Sequence, residues 1–158
     1  MYEYSPGGLQ DITRAYFAEL TAKYPDSLLD NLDVGNPIFA DLLEGAWYAI
    51  EFGHRWMGKS ALLHIAGPPD LNRKLYIMGY CDAVLLDPGP VTATFRADGV
   101  KIGSATLADA NKVFHLVYSM PESSVGKAKV TTLIEVSHTV RPAGVRDLGL
   151  VFGTFAIR

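Results

Sequence analysis

Two short stretches gather most of the side chains that could do chemistry. Glu44 to Ala61 holds Trp47, Tyr48, Glu51, His54, Arg55 and Trp56, and Arg141 to Gly149 holds Arg141, Arg146 and Asp147. Aromatic rings beside arginine and carboxylate groups suit a carbohydrate. A ring stacks on the apolar face of the sugar, while charged groups make paired hydrogen bonds to neighbouring hydroxyls. The candidate glycan contacts are therefore Glu51, His54, Arg55, Trp56, Arg146 and Asp147. The same residues have plain structural uses. Trp47 and Trp56 can anchor a core, and Glu51 can pair with Arg55 or Arg146 at a sheet corner.

A rival pattern overlaps the first stretch. Gly53-His54-Arg55-Trp56-Met57-Gly58-Lys59-Ser60 matches the spacing of a phosphate loop. In such a loop, backbone N–H groups wrap the phosphates and the following helix directs its dipole at them. Here Ala61 to Gly67 and then two prolines follow, too short for that helix, and Trp56 and Met57 are bulky where the backbone must close. A nucleotide-dependent enzyme is therefore the minor alternative. His54, His64, His115 and His138 form no paired ligand spacing, although a site assembled from distant strands stays open. Cys81 stands alone, which excludes an internal disulfide and a cysteine zinc site, and its apolar neighbours suggest a structural thiol. No G-x-S-x-G elbow occurs. Glu51 and Asp147 are the carboxylates an acid–base enzyme would use. No catalytic residue, metal or cofactor is assigned.

Composition narrows the partners. The 158 residues include 14 Lys or Arg and 17 Asp or Glu, for a net charge of −3. That balance lacks the basic excess expected for nucleic acid or an anionic lipid surface. Apolar residues at 49% and charged residues at 20% fit a globular chain able to bury its own core. No apolar run approaches the ~20 residues of a membrane span. Met1 to Gly8 has neither the basic nor the apolar region of a signal peptide. A cytoplasmic location is expected.

The elements that must position the two stretches read as strands. Short apolar runs alternate with turn residues at Trp47–Phe52, Ala61–Ala66, Lys74–Cys81, Val91–Ala97, Val113–Ser119, Ala128–Val136 and Leu148–Ile157. Asp98-Gly99, between Phe95-Arg96-Ala97 and Val100-Lys101-Ile102, is a tight hairpin signal. Parallel sheets need crossover helices, and none of sufficient length follows residue 60. The N-terminal quarter differs. Gly7-Gly8 reads as a lead-in, and Asp11 can cap a helix carrying Ile12, Tyr16 and Leu20 on one face. Further helical turns are expected over Ser27–Leu32 and Ile38–Leu43. The expected architecture is mainly all-β, an antiparallel β-sandwich preceded by a short helical N-terminal segment.

The two stretches also resemble a family. They are similar to the β-sandwich accessory domain found with bacterial glycosyltransferases and methyltransferases of surface-polysaccharide assembly. Gly45, Trp47-Tyr48, Glu51, Arg55-Trp56 and Gly58 match its opening, with Ala46 inserted, and Pro142, Arg146 and Leu148-Gly149 match its close. Gly144 stands where the closing aspartate belongs, and Asp147 is displaced from it. The resemblance implies a galactose-binding-like jelly-roll β-sandwich over 44–158 without catalytic residues, in which Gly58-Lys59-Ser60 is the turn entering the second strand, and it makes 1–43 a helical N-terminal segment or linker. It implies a glycan or sugar-linked intermediate as ligand and a glycosyltransferase or methyltransferase as partner. A protein-interaction domain without a small ligand is the alternative.

Overall fold

The computed structural model describes residues 30–158 together with the backbone of residues 2–5 and 8–11. The helix expected from Ile12 lies outside the described residues. Tyr2–Ser5 (β1) and Gly8–Asp11 (β2) form a small antiparallel pair. The remaining strands are Asn31–Asp33 (β3), Leu43–Glu51 (β4), His54–Ile65 (β5), Lys74–Cys81 (β6), Val91–Ala97 (β7), Val100–Leu107 (β8), Lys112–Ser119 (β9), Val130–Val136 (β10) and Val151–Ile157 (β11). They make one antiparallel sheet in the order β8-β7-β10-β5-β11-β6-β9, with β4 joined to β5 and β3 to β11. Helical structure among the described residues is limited to short 3-10 turns, such as Pro37–Leu42. None is long and apolar enough to cross a membrane.

Simple alternation sets most strand faces. Val91, Ala93, Phe95 and Ala97 of β7 are buried, and so are Val130, Thr132, Ile134 and Val136 of β10. β5 pairs with three other strands. One of its edges pairs with β4. The other pairs with β11 through Arg55 and Trp56, then with β10 from Ser60 to Ile65. Rings from β7, β9 and β11 then meet across the core, where Phe95 touches both Tyr118 and Phe152. The ends of the path also approach, since a Cβ on Gly103 of β8 would overlap the Tyr118 ring of β9. The sheet is therefore nearly closed.

Three expectations need correction. Gly58-Lys59-Ser60 is not a turn but the middle of β5. The turn is Phe52-Gly53, where φ is +52° and +79° at the two central positions. Without a loop to wrap phosphates or a helix after Ser60, the Gly53–Ser60 stretch lacks the geometry of a phosphate loop, and Lys59 donates to the Ser137 carbonyl at 2.8 Å. Asn31 and Leu32, expected at the end of a helical turn over Ser27–Leu32, belong instead to the strand Asn31–Asp33, whose residues pair with Ala156, Phe155 and Thr154. Leu32 and Val34 are fully buried in the shared core. Finally, β11 starts at Val151 rather than Leu148, which makes an isolated bridge to Val140.

Among the described residues, the Thr132 hydroxyl lies in the core without a hydrogen-bond partner. Replacing an orphaned hydroxyl by a methyl removes its desolvation cost while conserving shape. Thr132→Val is expected to stabilise the protein by roughly 1–2 kcal/mol, read as a higher urea midpoint at unchanged slope.

The β7–β8 turn supplies a pH-dependent brace. The Asp98 carboxylate accepts the Thr131 N–H at 2.9 Å and the Lys127 ammonium at 2.7 Å. Partial burial raises its pKa, but the Lys127 and Thr131 hydrogen bonds, with the charges of Lys127 and His64, outweigh burial and lower it. A carboxylate held below its unfolded value of about 4 stabilises fully above that pH and loses the contribution as pH falls through the folded value. Asp98→Asn is expected to be less stable than the parent at neutral pH. The two urea curves should converge in acid, and a constant gap across pH would show that the charge is irrelevant.

Candidate functional site

The two motif stretches, far apart in sequence, are seamed together. The Met57 N–H donates to the Leu150 carbonyl at 2.9 Å, and the Gly149 N–H donates to the Met57 carbonyl at 2.7 Å. Glycine is required on both sides. A Cβ on Gly149 would lie 2.6 Å from the Gly58 oxygen, and one on Gly58 would lie 2.8 Å from Ala46 Cβ. The Tyr48 hydroxyl closes the upper end by donating to the Asp147 carbonyl at 2.6 Å.

This seam places Arg146 over the β4–β5 hairpin. Its Nη2 donates to Glu51 Oε1 at 2.6 Å, and its guanidinium carbon lies 4.8 Å from the centre of the Tyr48 ring. The Arg146 and Glu51 side chains are 32% and 34% exposed, so the pair is ordered yet open to a ligand. Such an exposed pair contributes at most about 1 kcal/mol to stability.

Directly paired residues on neighbouring strands share a sheet face. Trp56 pairs with Val151, Val151 with Tyr80, and Tyr80 with Val113, which is 57% exposed. His54 lies two residues before Trp56 on the same face and opposite Glu51. Glu51, His54, Trp56 and Arg146 thus gather on the outward side of the hairpin.

Arg55 and Asp147 stand differently. Arg55 faces inward, where its Nε donates to the Val34 carbonyl at 2.7 Å and its Nη1 to the Tyr48 carbonyl at 2.9 Å. Burial lowers its pKa. The Asp147 carboxylate is held by Arg141 through two bonds of 3.0 Å, and these with the Arg141 charge pull its pKa down. Each carboxylate of the acid–base reading is therefore tied to its own arginine. Trp47 is a core anchor, edge-on to Phe152 with its indole N–H donating to the Leu62 carbonyl at 2.8 Å. Burial, and then Asp82, raise the Cys81 thiol pKa, which disfavours the reactive thiolate. His64 meets Thr131 and Glu44, and His138 meets the Leu85 carbonyl.

Sequence reasoning overlooked the neighbouring cleft. A hollow of about 500 Å³ opens beside His54, lined by Asp33, Phe52, Met78, Tyr80 and Val113 among others. Phe52 is 97% exposed at the hairpin tip. A phenylalanine before the Gly53 of a tight turn was the available signal, because two-residue hairpin turns favour Asn, Asp or Gly there. Gly35 supports the turn from behind, since a Cβ there would overlap the Gly53 carbonyl.

No protein-family model matches the sequence, and no curated protein matches it. Solved structures do. An acetyl xylan esterase, Est2A, from the rumen bacterium Butyrivibrio proteoclasticus aligns at a TM-score of 0.53 and 14% identity, covering 84% of this chain and 34% of that one. A family 35 carbohydrate binding module from Clostridium thermocellum aligns at 0.46 and 8% identity, covering 73% of this chain and 88% of that one. A cycloisomaltooligosaccharide glucanotransferase from Paenibacillus sp. aligns at 0.45 and 10% identity, over 90% of this chain and 22% of that one. The chain spans about a third of the esterase's length. The likeness to the esterase is one of fold: the chain has a β architecture similar to part of that protein.

Proposed function

We propose that the protein is a non-catalytic carbohydrate-binding module whose nearly closed sheet is a jelly-roll-like β-sandwich. The observation that carries the reading is the Glu51–Arg146 pair on the Tyr48 ring, with His54 and Trp56 on the same face. Glu51 Oε2 can accept from one hydroxyl while the remaining Arg146 N–H groups donate to its neighbour, and Trp56 offers a ring face. Arg55 acts through this site as a positioning residue that fixes β4 against β5. The role beside a glycosyltransferase or methyltransferase rests on the resemblance of the two motif stretches, and the fold likeness to part of an acetyl xylan esterase supports only the glycan half of it.

The test is a glycan array with the parent chain, followed by calorimetry of its hits with Glu51→Gln, Arg146→Lys and Trp56→Ala. Each substitution is expected to weaken binding by roughly 1–3 kcal/mol. Melting temperatures of the two charge variants should stay close to the parent's, because the pair is exposed. If the parent binds no glycan and the variants unfold, these residues are structural and the interaction-domain reading takes over.

A further inference from the structure

The cleft beside Phe52-Gly53 differs in character from the polar pair that borders it. Its floor is apolar, built from Met78, Val113, Val151 and the Tyr80 ring, with Gly79 and Gly153 adding backbone. Its polar lining residues are Asp33, His54 and Thr154, and Thr154 pairs with Asp33. One Asp33 oxygen accepts the Gly35 N–H at 2.8 Å, and the other has no partner among the described residues. His54 lines the cleft and pairs across the hairpin with Glu51, so the Glu51–Arg146 pair stands beside the cleft without lining it. A hollow of about 500 Å³ with an apolar floor and few polar groups has the form of a small-molecule site.

Two further features mark this place. Phe52 has φ of +52°, a conformation that costs a bulky residue energy and that clusters at ligand clamps. A β-bulge at Gly153 also interrupts the β11–β6 register under the cleft, and bulges recur beside binding sites.

The floor selects the ligand. A plain hexose would turn hydroxyls toward Met78 and Val113, where they find no partners and lose their water. An aryl or acyl group meets no such penalty. We propose that the cleft binds an aryl or acyl substituent on a sugar whose hydroxyls are held by Glu51 and Arg146. The proposal rests on the glycan reading above and deepens it: the module recognises substituted glycans over plain ones.

The experiment titrates the full chain with p-nitrophenyl and methyl glycosides of the same sugars, and with p-nitrophenol alone. Aryl glycosides are expected to bind at least ~10-fold more tightly than methyl glycosides, the scale of burying one ring. Phe52→Asn, which suits the turn, and Val113→Asp should each reduce that advantage and leave methyl-glycoside affinity unchanged. Glu51→Gln should weaken both series. Equal affinity for the two series, or an advantage that survives both cleft variants, overturns the cleft assignment while leaving the glycan reading intact. Binding of p-nitrophenol as tight as that of its glycosides also overturns it, and fits a cleft that receives a partner protein's side chain. Failure of every compound to bind removes both readings.

Discussion

Phe152→Ala is expected to destabilise the protein by about 3–5 kcal/mol, the largest effect of any single core truncation proposed for it. The Phe152 ring is fully buried and touches four others: Trp47 at 6.1 Å, Phe95 at 6.3 Å, Phe114 at 5.9 Å and Phe155 at 5.3 Å between centres. Those partners come from β4, β7, β9 and β11, so one cavity would loosen contacts to four strands at once. Both Phe152 and Phe155 point inward although they are three apart, which strict alternation forbids. The bulge at Gly153 adds the extra residue that makes this possible. Urea unfolding followed by fluorescence measures the loss, and a change below about 1 kcal/mol would mean that the cluster repacks freely.

Gly149→Ala is the second large effect, and it links stability to the site. The new methyl would press on two backbone oxygens, at 2.6 Å on Gly58 and 3.1 Å on Met57, and backbone cannot swing aside as a side chain can. The seam must open, at a cost of roughly 1–3 kcal/mol. Arg146 lies three residues before Gly149 and would move with it, away from Glu51. Glycan affinity should therefore fall further than in Arg146→Lys, which leaves the seam closed. Unchanged unfolding midpoints together with full affinity would show that the seam does not set the Glu51–Arg146 distance.

The legible parts of the fold were those governed by local patterns. Lys74–Cys81 and Val91–Ala97 have the boundaries expected of them, because alternating apolar residues end at turn-forming ones. Asp98-Gly99 is the turn its type demands, with positive φ at both residues. Asn31–Asp33 escaped notice because Asn and Asp are poor strand formers, and only pairing with β11 makes the segment a strand. Gly58-Lys59-Ser60 was expected to be a turn only because the family resemblance places one there. The small size of Gly58 serves instead for close packing against Ala46 and Gly149. At the site, the pairing of Glu51 with Arg146 was one of two options open in the sequence. Arg55 was the other, and its engagement by the Val34 and Tyr48 carbonyls decided between them. The cleft was hidden because its lining comes from β3, β5, β6, β9 and β11 as well as the Phe52-Gly53 turn, and apart from Phe52 those side chains are individually ordinary.

The seam between β5 and β11 also shapes how the chain reaches its folded state. The Tyr48–Asp147 bond joins residues 99 apart, and the Met57–Leu150 contact closes a loop nearly as long. Such distant pairings must repay a large loop-closure entropy, which places all-β chains of high contact order in the millisecond-to-second range of folding times. The β7–β8 hairpin, by contrast, closes locally, in ~1–10 μs. On a ribosome adding ~5–20 residues per second, Leu150 follows Met57 by on the order of 5–20 s. Through that interval the edge of β5 from His54 to Met57 that β11 will cover presents unpaired N–H and C=O groups, the condition in which a strand recruits a neighbouring chain.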